Sequence, residues 1–127
     1  MNFDLSEEQQ LLKDSVDRFV SDNYDLDTRQ KLSKNEAGFS DTYWQTMAEL
    51  GWLGVTVPEA HGGFGGNQAD TMVLMEAFGK GLVLEPFFAS AVLGTRAIVS
   101  GGSEELQSKL LPELLNGASR LSLAYAE

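Results

Sequence analysis

Ser6-Glu7-Glu8-Gln9-Gln10-Leu11-Leu12-Lys13-Asp14-Ser15-Val16-Asp17-Arg18-Phe19-Val20 decides the fold class of this chain. Ser6 and Gln9 have the spacing of a capping box, in which the Ser6 hydroxyl bonds a free backbone N–H and Gln9 reaches back to the Ser6 amide. Glu7 and Glu8 suit the positive end of the helix dipole. Leu12, Val16, Phe19 and Val20 then recur at helical spacing, with Lys13, Asp14, Asp17 and Arg18 off the stripe. The reading is an amphipathic helix from about Glu7 to Asp22.

The same grammar extends downstream. From Asn23 to Gly38 the chain is polar, with room for one short helix over Asp27–Ser33. Ser40 caps the next helix, Trp44, Met47 and Ala48 mark its buried face, and Gly51 stops it. Trp52 to Pro58 is apolar but too short for a helix, and Glu59-Ala60-His61-Gly62-Gly63-Phe64-Gly65-Gly66 reads as a flexible glycine-rich loop. Asn67 and Asp70 open a helix to about Lys80. Its apolar residues (Ala69, Met72, Val73, Leu74, Met75, Ala77, Phe78) cover most of the circumference, which predicts burial on all sides. Pro86 fits the first turn of a helix through Val99, closed by Gly101-Gly102. Ser103-Glu104-Glu105 starts the last helix, with Leu106, Leu110, Leu111, Leu114 and Leu115 as its stripe, Pro112 as a kink and Gly117 as its stop. Trp44, Trp52, Phe87, Phe88 and the methionines read as core.

Arg120-Leu121-Ser122-Leu123-Ala124-Tyr125-Ala126-Glu127 alternates partly and reads as a strand, for which the chain offers no partner. The expectation is an all-α helical bundle of five to six helices, with the start of a β-strand at the C-terminus that belongs to a larger protein.

Composition narrows the function. The 127 residues suffice for one core, and 43% apolar with 22% charged residues is ordinary for a globular domain. Nineteen acids against nine bases give a net charge of −10, which argues against nucleic acid and anionic membrane surfaces as partners. There is no cysteine and one histidine, His61, so thiol chemistry is absent and a histidine metal cluster or Ser-His-Asp triad is disfavoured. The acidic N-terminus lacks a signal-peptide layout, and no apolar run is long enough to span a membrane. The expectation is a soluble, cytoplasmic domain.

No motif carries catalysis outright. Gly62 to Gly66 fits neither dinucleotide nor P-loop patterns and has no cation beside it, so a tight structural turn is the better reading. His61, within that loop, reads as a packing or hydrogen-bonding residue. The pairs Glu7/Glu8 and Glu104/Glu105 are explained by helix first turns. Glu85, between Leu84 and Pro86, reads either as a cap for the helix that follows or as the polar floor of a pocket. Arg96, a lone cation in an apolar helix, reads as a snorkelling or ion-paired side chain.

Four stretches together resemble the N-terminal helical domain of acyl-CoA dehydrogenases, the flavoproteins that introduce an α,β double bond into acyl-CoA thioesters. They are Phe3 to Gln10; Leu50-Gly51-Trp52-Leu53-Gly54-Val55 leading to Pro58-Glu59-Ala60-His61-Gly62-Gly63-Phe64-Gly65; Gly102 to Glu105 through Leu110-Leu111-Pro112 and Gly117; and Leu123 to Glu127. Within the family, the "PEAHGGFGG" form is most similar to the small subunit of pimeloyl-CoA-type dehydrogenases.

The resemblance implies a helical domain over residues 1–119 and the start of a middle β domain over 120–127. It implies FAD as the cofactor of the parent protein, held largely by domains outside these residues, where the catalytic glutamate also lies. No residue here is expected to be catalytic or to bind metal. Glu85, Pro86, Ala89, Ser90 and Leu93 would line one wall of the acyl-chain pocket. Leu123, Tyr125 and Ala126 would lie beside the flavin. Ala126 stands where the family has a threonine that hydrogen-bonds the flavin ring, so that hydroxyl is lost.

The implied partners are an acyl-CoA substrate, the remaining dehydrogenase domains, a homo- or hetero-tetramer and an electron-transfer flavoprotein. Were the substrate a dicarboxylyl-CoA, Arg96 would be the group to meet its distal carboxylate. Phosphates of CoA and FAD would be repelled by a −10 domain, so their cationic clamps belong elsewhere. Two other readings stand beside the enzyme part. One is a non-catalytic partner subunit, supported by Ala126; the other is an unrelated helical interaction domain.

Overall fold

The computed structural model describes residues 4–125, and its regular structure is helical throughout that range. The helices fall into two compact units, one of residues 1–39 and 68–84, the other of residues 40–67 and 85–127.

The first unit is built on α1 (Glu7–Asn23), α2 (Leu26–Leu32) and, later in the chain, the helix Gln68–Gly81. The capping box forms as expected: Gln9 N–H donates to Ser6 Oγ and Ser6 N–H to Gln9 Oε1, both at 3.1 Å. Asp25 starts α2 by accepting from Thr28 N–H at 2.7 Å. α1 packs against Gln68–Gly81, burying Val16 and Phe19 against Val73, Leu74, Ala77 and Phe78. At about 1.5–3 kcal/mol for each fully buried side chain, this seam is the unit's main source of stability. Gln68–Gly81 is buried on that one face only, contrary to its all-round apolar pattern: Met72 is 53% exposed. A stripe along one helix suffices to pack against one neighbour, and Met72 lies off it.

The second unit opens with α3 (Asp41–Glu49), capped by Ser40 Oγ accepting from Tyr43 N–H at 3.2 Å. Gly51, at φ 78°, ends it. Two short 3₁₀ turns follow, Trp52–Gly54 and Glu59–His61. Numbering Gln68–Gly81 as α4, the next helix is where the structure departs most from its sequence pattern. The run expected as one α-helix from Pro86 to Val99 is a π-helix over Phe88–Thr95 that passes into α5 (Arg96–Gly101). Its side chains are apolar on nearly every side, so the pattern carries no phase by which to tell one helical period from another. Phe88 also departs from its core assignment, at 52% exposed.

α6 (Glu104–Leu115) is capped by Ser103 Oγ and runs on through Pro112. That proline has no N–H and leaves the Ser108 carbonyl without its helical donor. Val57, Leu111 and Leu114 form a buried cluster against which Ile98, Val99, Leu110, Leu115 and Leu121 pack. Residues 121–125 form no strand, because a strand needs a ladder partner and the described residues provide none. Glu127 and Ala126, the end of the expected strand, lie outside the described residues.

Candidate functional site

The entrance to the π-helix is where the sequence places its site residues, and the structure shows how each is held. Glu85 is 6% exposed, and its Oε1 accepts from Ser40 N–H at 3.0 Å. The carboxylate therefore caps α3, far away in sequence. Its charge also lies at the end of α3 that favours an anion. Pro86 stands at the helix entrance, where its carbonyl accepts from Ser90 N–H at 3.0 Å. Ser90 is buried, and its Oγ accepts from Leu121 N–H at 3.1 Å.

Of the five expected wall residues, Glu85 and Ser90 thus already serve backbone N–H groups of this chain. Pro86, Ala89 and Leu93 are half-buried and keep accessible surface. These three are apolar and leave a hydrocarbon surface with no charge to desolvate. π-Helical turns are rare and recur at functional sites, which fits this position in the fold. Arg96 is exposed at the start of α5.

The glycine loop is settled by its hydrogen bonds. Gly63 N–H donates to Pro58 O at 3.2 Å, Phe64 N–H to Gly54 O at 3.1 Å, Gly65 N–H to Val57 O at 2.8 Å and Gly66 N–H to Val55 O at 2.8 Å. Amides that would have to point at a phosphate are committed to the chain itself. Gly62 and Gly65 adopt φ of 84° and 63°, the left-handed conformation that favours glycine. The loop is a structural turn, as the residues suggested, and His61 is a half-buried part of it.

Leu123 and Tyr125 are 44% and 82% exposed, and Tyr125 N–H donates to Leu123 O at 3.1 Å. Ala126 lies outside the described residues. With the glycine-loop amides consumed and no cationic side chain within 121–125, neither of these two segments offers a phosphate-binding group to a flavin nucleotide. Among them, no three His, Cys, Asp or Glu side chains converge as metal ligands. No helix among them is long and apolar enough to cross a membrane.

The tie between Ser90 and Leu121 was not visible in the sequence, since nothing pairs residues so distant. The one signal was Gly94, an isolated glycine inside a helical run, which marks a place where other backbone comes close.

Known proteins place this arrangement. The description "Acyl-CoA dehydrogenase, N-terminal domain" matches residues 6–118. The chain belongs to the acyl-CoA dehydrogenase family. It is 30% identical over 125 residues to mitochondrial isovaleryl-CoA dehydrogenase of Bos taurus, covering 97% of this chain and 29% of that protein. Among solved structures, the ChsE4-ChsE5 complex from Mycobacterium tuberculosis matches with a TM-score of 0.87 at 29% identity, over 96% of this chain and 34% of that chain. An acyl-CoA dehydrogenase from Bacillus anthracis, complexed with FAD, matches with a TM-score of 0.83 at 28% identity, over 93% of this chain and 21% of that one. The chain spans about a third of the length of the curated relatives it matches. What it shares with the family is the N-terminal helical domain.

Proposed function

We propose that this chain is the part of an FAD-dependent acyl-CoA dehydrogenase that forms one wall of the acyl-chain pocket, and that it is not catalytic alone. The observation that carries this reading is the half-exposed apolar face of Pro86, Ala89 and Leu93 on a π-helical turn, in a chain of this family. Of the carboxylates that the sequence singled out, Glu85 caps α3, and Glu7, Glu8, Glu104 and Glu105 are exposed in helix first turns, away from Pro86, Ala89 and Leu93 in sequence. In this reading the base that removes a proton from the acyl α-carbon comes from another part of the protein.

The residues of this chain exclude water from the hydrocarbon tail and set how much of it fits. In the full-length protein, Leu93→Trp narrows the wall. It should raise KM for long acyl-CoA thioesters about tenfold while leaving kcat within about twofold, the signature of lost uniform binding. Unchanged KM across acyl lengths would overturn the reading. The assembly belongs to the same proposal: a homo- or hetero-tetramer in the cytoplasm, passing electrons to an electron-transfer flavoprotein.

A second reading is favoured by one residue. Ala126 lacks the hydroxyl expected to bond the flavin, which suits a subunit with a weakened site beside an active partner; one solved relative is itself a complex of two proteins. Flavin absorbance in the purified full-length protein separates the two. A stoichiometric yellow chromophore supports the enzyme, and a colourless protein that gains activity only with a partner supports the silent subunit.

A further inference from the structure

Ser90 is a buried polar side chain, at 2% exposed, and its hydroxyl oxygen accepts from Leu121 N–H at 3.1 Å. One helical turn on, Gly94 faces the same residue: a Cβ there would lie 2.6 Å from Leu121 Cβ and 3.3 Å from Ala89 O. The approach is therefore possible only because Gly94 has no side chain. Leu121 in turn packs against the cluster of Val57, Leu111 and Leu114. A donor-acceptor bond and a steric notch, on adjacent turns of one π-helix, grip one residue of a distant segment.

We infer that Ser90 and Gly94 are positioning residues: they latch Leu121 to the buried side of the π-helix and so set where Ala89 and Leu93 stand on its accessible side. This rests on the acyl-wall reading and reassigns Ser90 within it, from pocket lining to support of the lining. The latch is also a path by which pressure on the wall reaches residues 121–125. An acyl chain that packs on Ala89 and Leu93 tightens the helix against Leu121, and binding then protects the Leu121 amide.

The test uses the full-length protein and three variants, read by amide hydrogen exchange and by steady-state kinetics. Ser90→Ala removes the acceptor and Gly94→Ala fills the notch while keeping the hydroxyl. Ser103→Ala, which removes the α6 cap without touching Leu121, is the control for simple loss of stability. Both latch variants should speed Leu121 exchange about tenfold at unchanged exchange of the α3 amides, and should raise KM for acyl-CoA more than they lower kcat. Ser103→Ala should do neither.

Saturating acyl-CoA should slow Leu121 exchange in the unaltered protein and not in Ser90→Ala. Unchanged Leu121 exchange in both latch variants overturns the latch. Faster exchange with unchanged KM overturns its positioning role. Failure of the unaltered protein to bind any acyl-CoA overturns the wall reading itself, and the exchange result distinguishes that failure from the latch's.

Discussion

The two units of the molecule are held by different kinds of interaction. In the unit of α1, α2 and α4, helix ends are closed by neighbours in sequence: Ser6 with Gln9, and Asp25 with Thr28. Its core is a seam between two amphipathic helices. The unit of α3, the π-helix, α5 and α6 has local caps too, at Ser40 and Ser103, and adds to them several bonds that join distant segments. Glu85 holds Ser40, Trp44 Nε1–H donates to Gly117 O at 3.1 Å, Ser90 holds Leu121, and Arg120 pairs with Asp41 at 3.1 Å while lying 6.0 Å from the Trp44 ring centre. The first unit has such bonds as well, near the end of α4, where Arg29 donates to Leu82 O at 2.8 Å and Tyr24 Oη accepts from Leu84 N–H at 3.3 Å. The difference teaches where a helical domain keeps its specificity: locally capped helices supply stability, and remote polar ties fix how irregular segments lie.

The largest test of that contrast is Trp44, which is 2% exposed and combines packing with a remote bond. Trp44→Ala should cost about 3–5 kcal/mol in urea unfolding, by cavity formation plus an orphaned Gly117 carbonyl. Trp44→Phe keeps most of the packing and isolates the tie, at about 1–3 kcal/mol. If the phenylalanine variant is neutral, remote polar ties do not hold the second unit.

Glu85 sharpens the comparison. Glu85→Ala leaves the part-buried Ser40 N–H without its acceptor and should destabilise by about 1–3 kcal/mol. Glu85→Gln keeps an acceptor oxygen and loses only the charge facing the α3 dipole, at about 0.3–1 kcal/mol. Equal losses would mean that charge, and not the hydrogen bond, matters there.

The smallest effect belongs to the first unit. The bond from Thr28 N–H holds the Asp25 carboxyl below its ordinary value of 3.8. A carboxyl lowered in the folded state contributes stability that is complete above about pH 3.8 and is lost as pH falls through its folded value. Thermal unfolding should therefore lose a small increment in acid, and Asp25→Ala should remove that part of the pH dependence. An identical acid limb in the variant would show that the cap contributes nothing.

Legibility followed the range of the interactions. Helix starts at Ser6, Ser40 and Ser103 were readable because a cap and its amide lie three residues apart. The stops at Gly51 and Gly117 were readable too, both at positive φ. The structural turn of Gly62 to Gly66 was readable from its composition, though its bonds to residues 54–58 were not. The Glu85 carboxylate was visibly out of place in an apolar run, but its partner Ser40 sits 45 positions away. Burial around α4 was over-read, because apolar composition reports what a helix can bury and not how many neighbours it has.

By itself, the sequence determined the helical class, the starts of the serine-capped helices, the membership of the acyl-CoA dehydrogenase family and the absence of thiol chemistry, since each depends on residue type or on spacings within a turn. Only the tertiary structure decided that Phe88–Thr95 is a π-helix, that Glu85 serves α3, and that Ser90 and Gly94 grip Leu121. Those outcomes depend on which segments come together in space, and one amphipathic pattern is compatible with many such pairings.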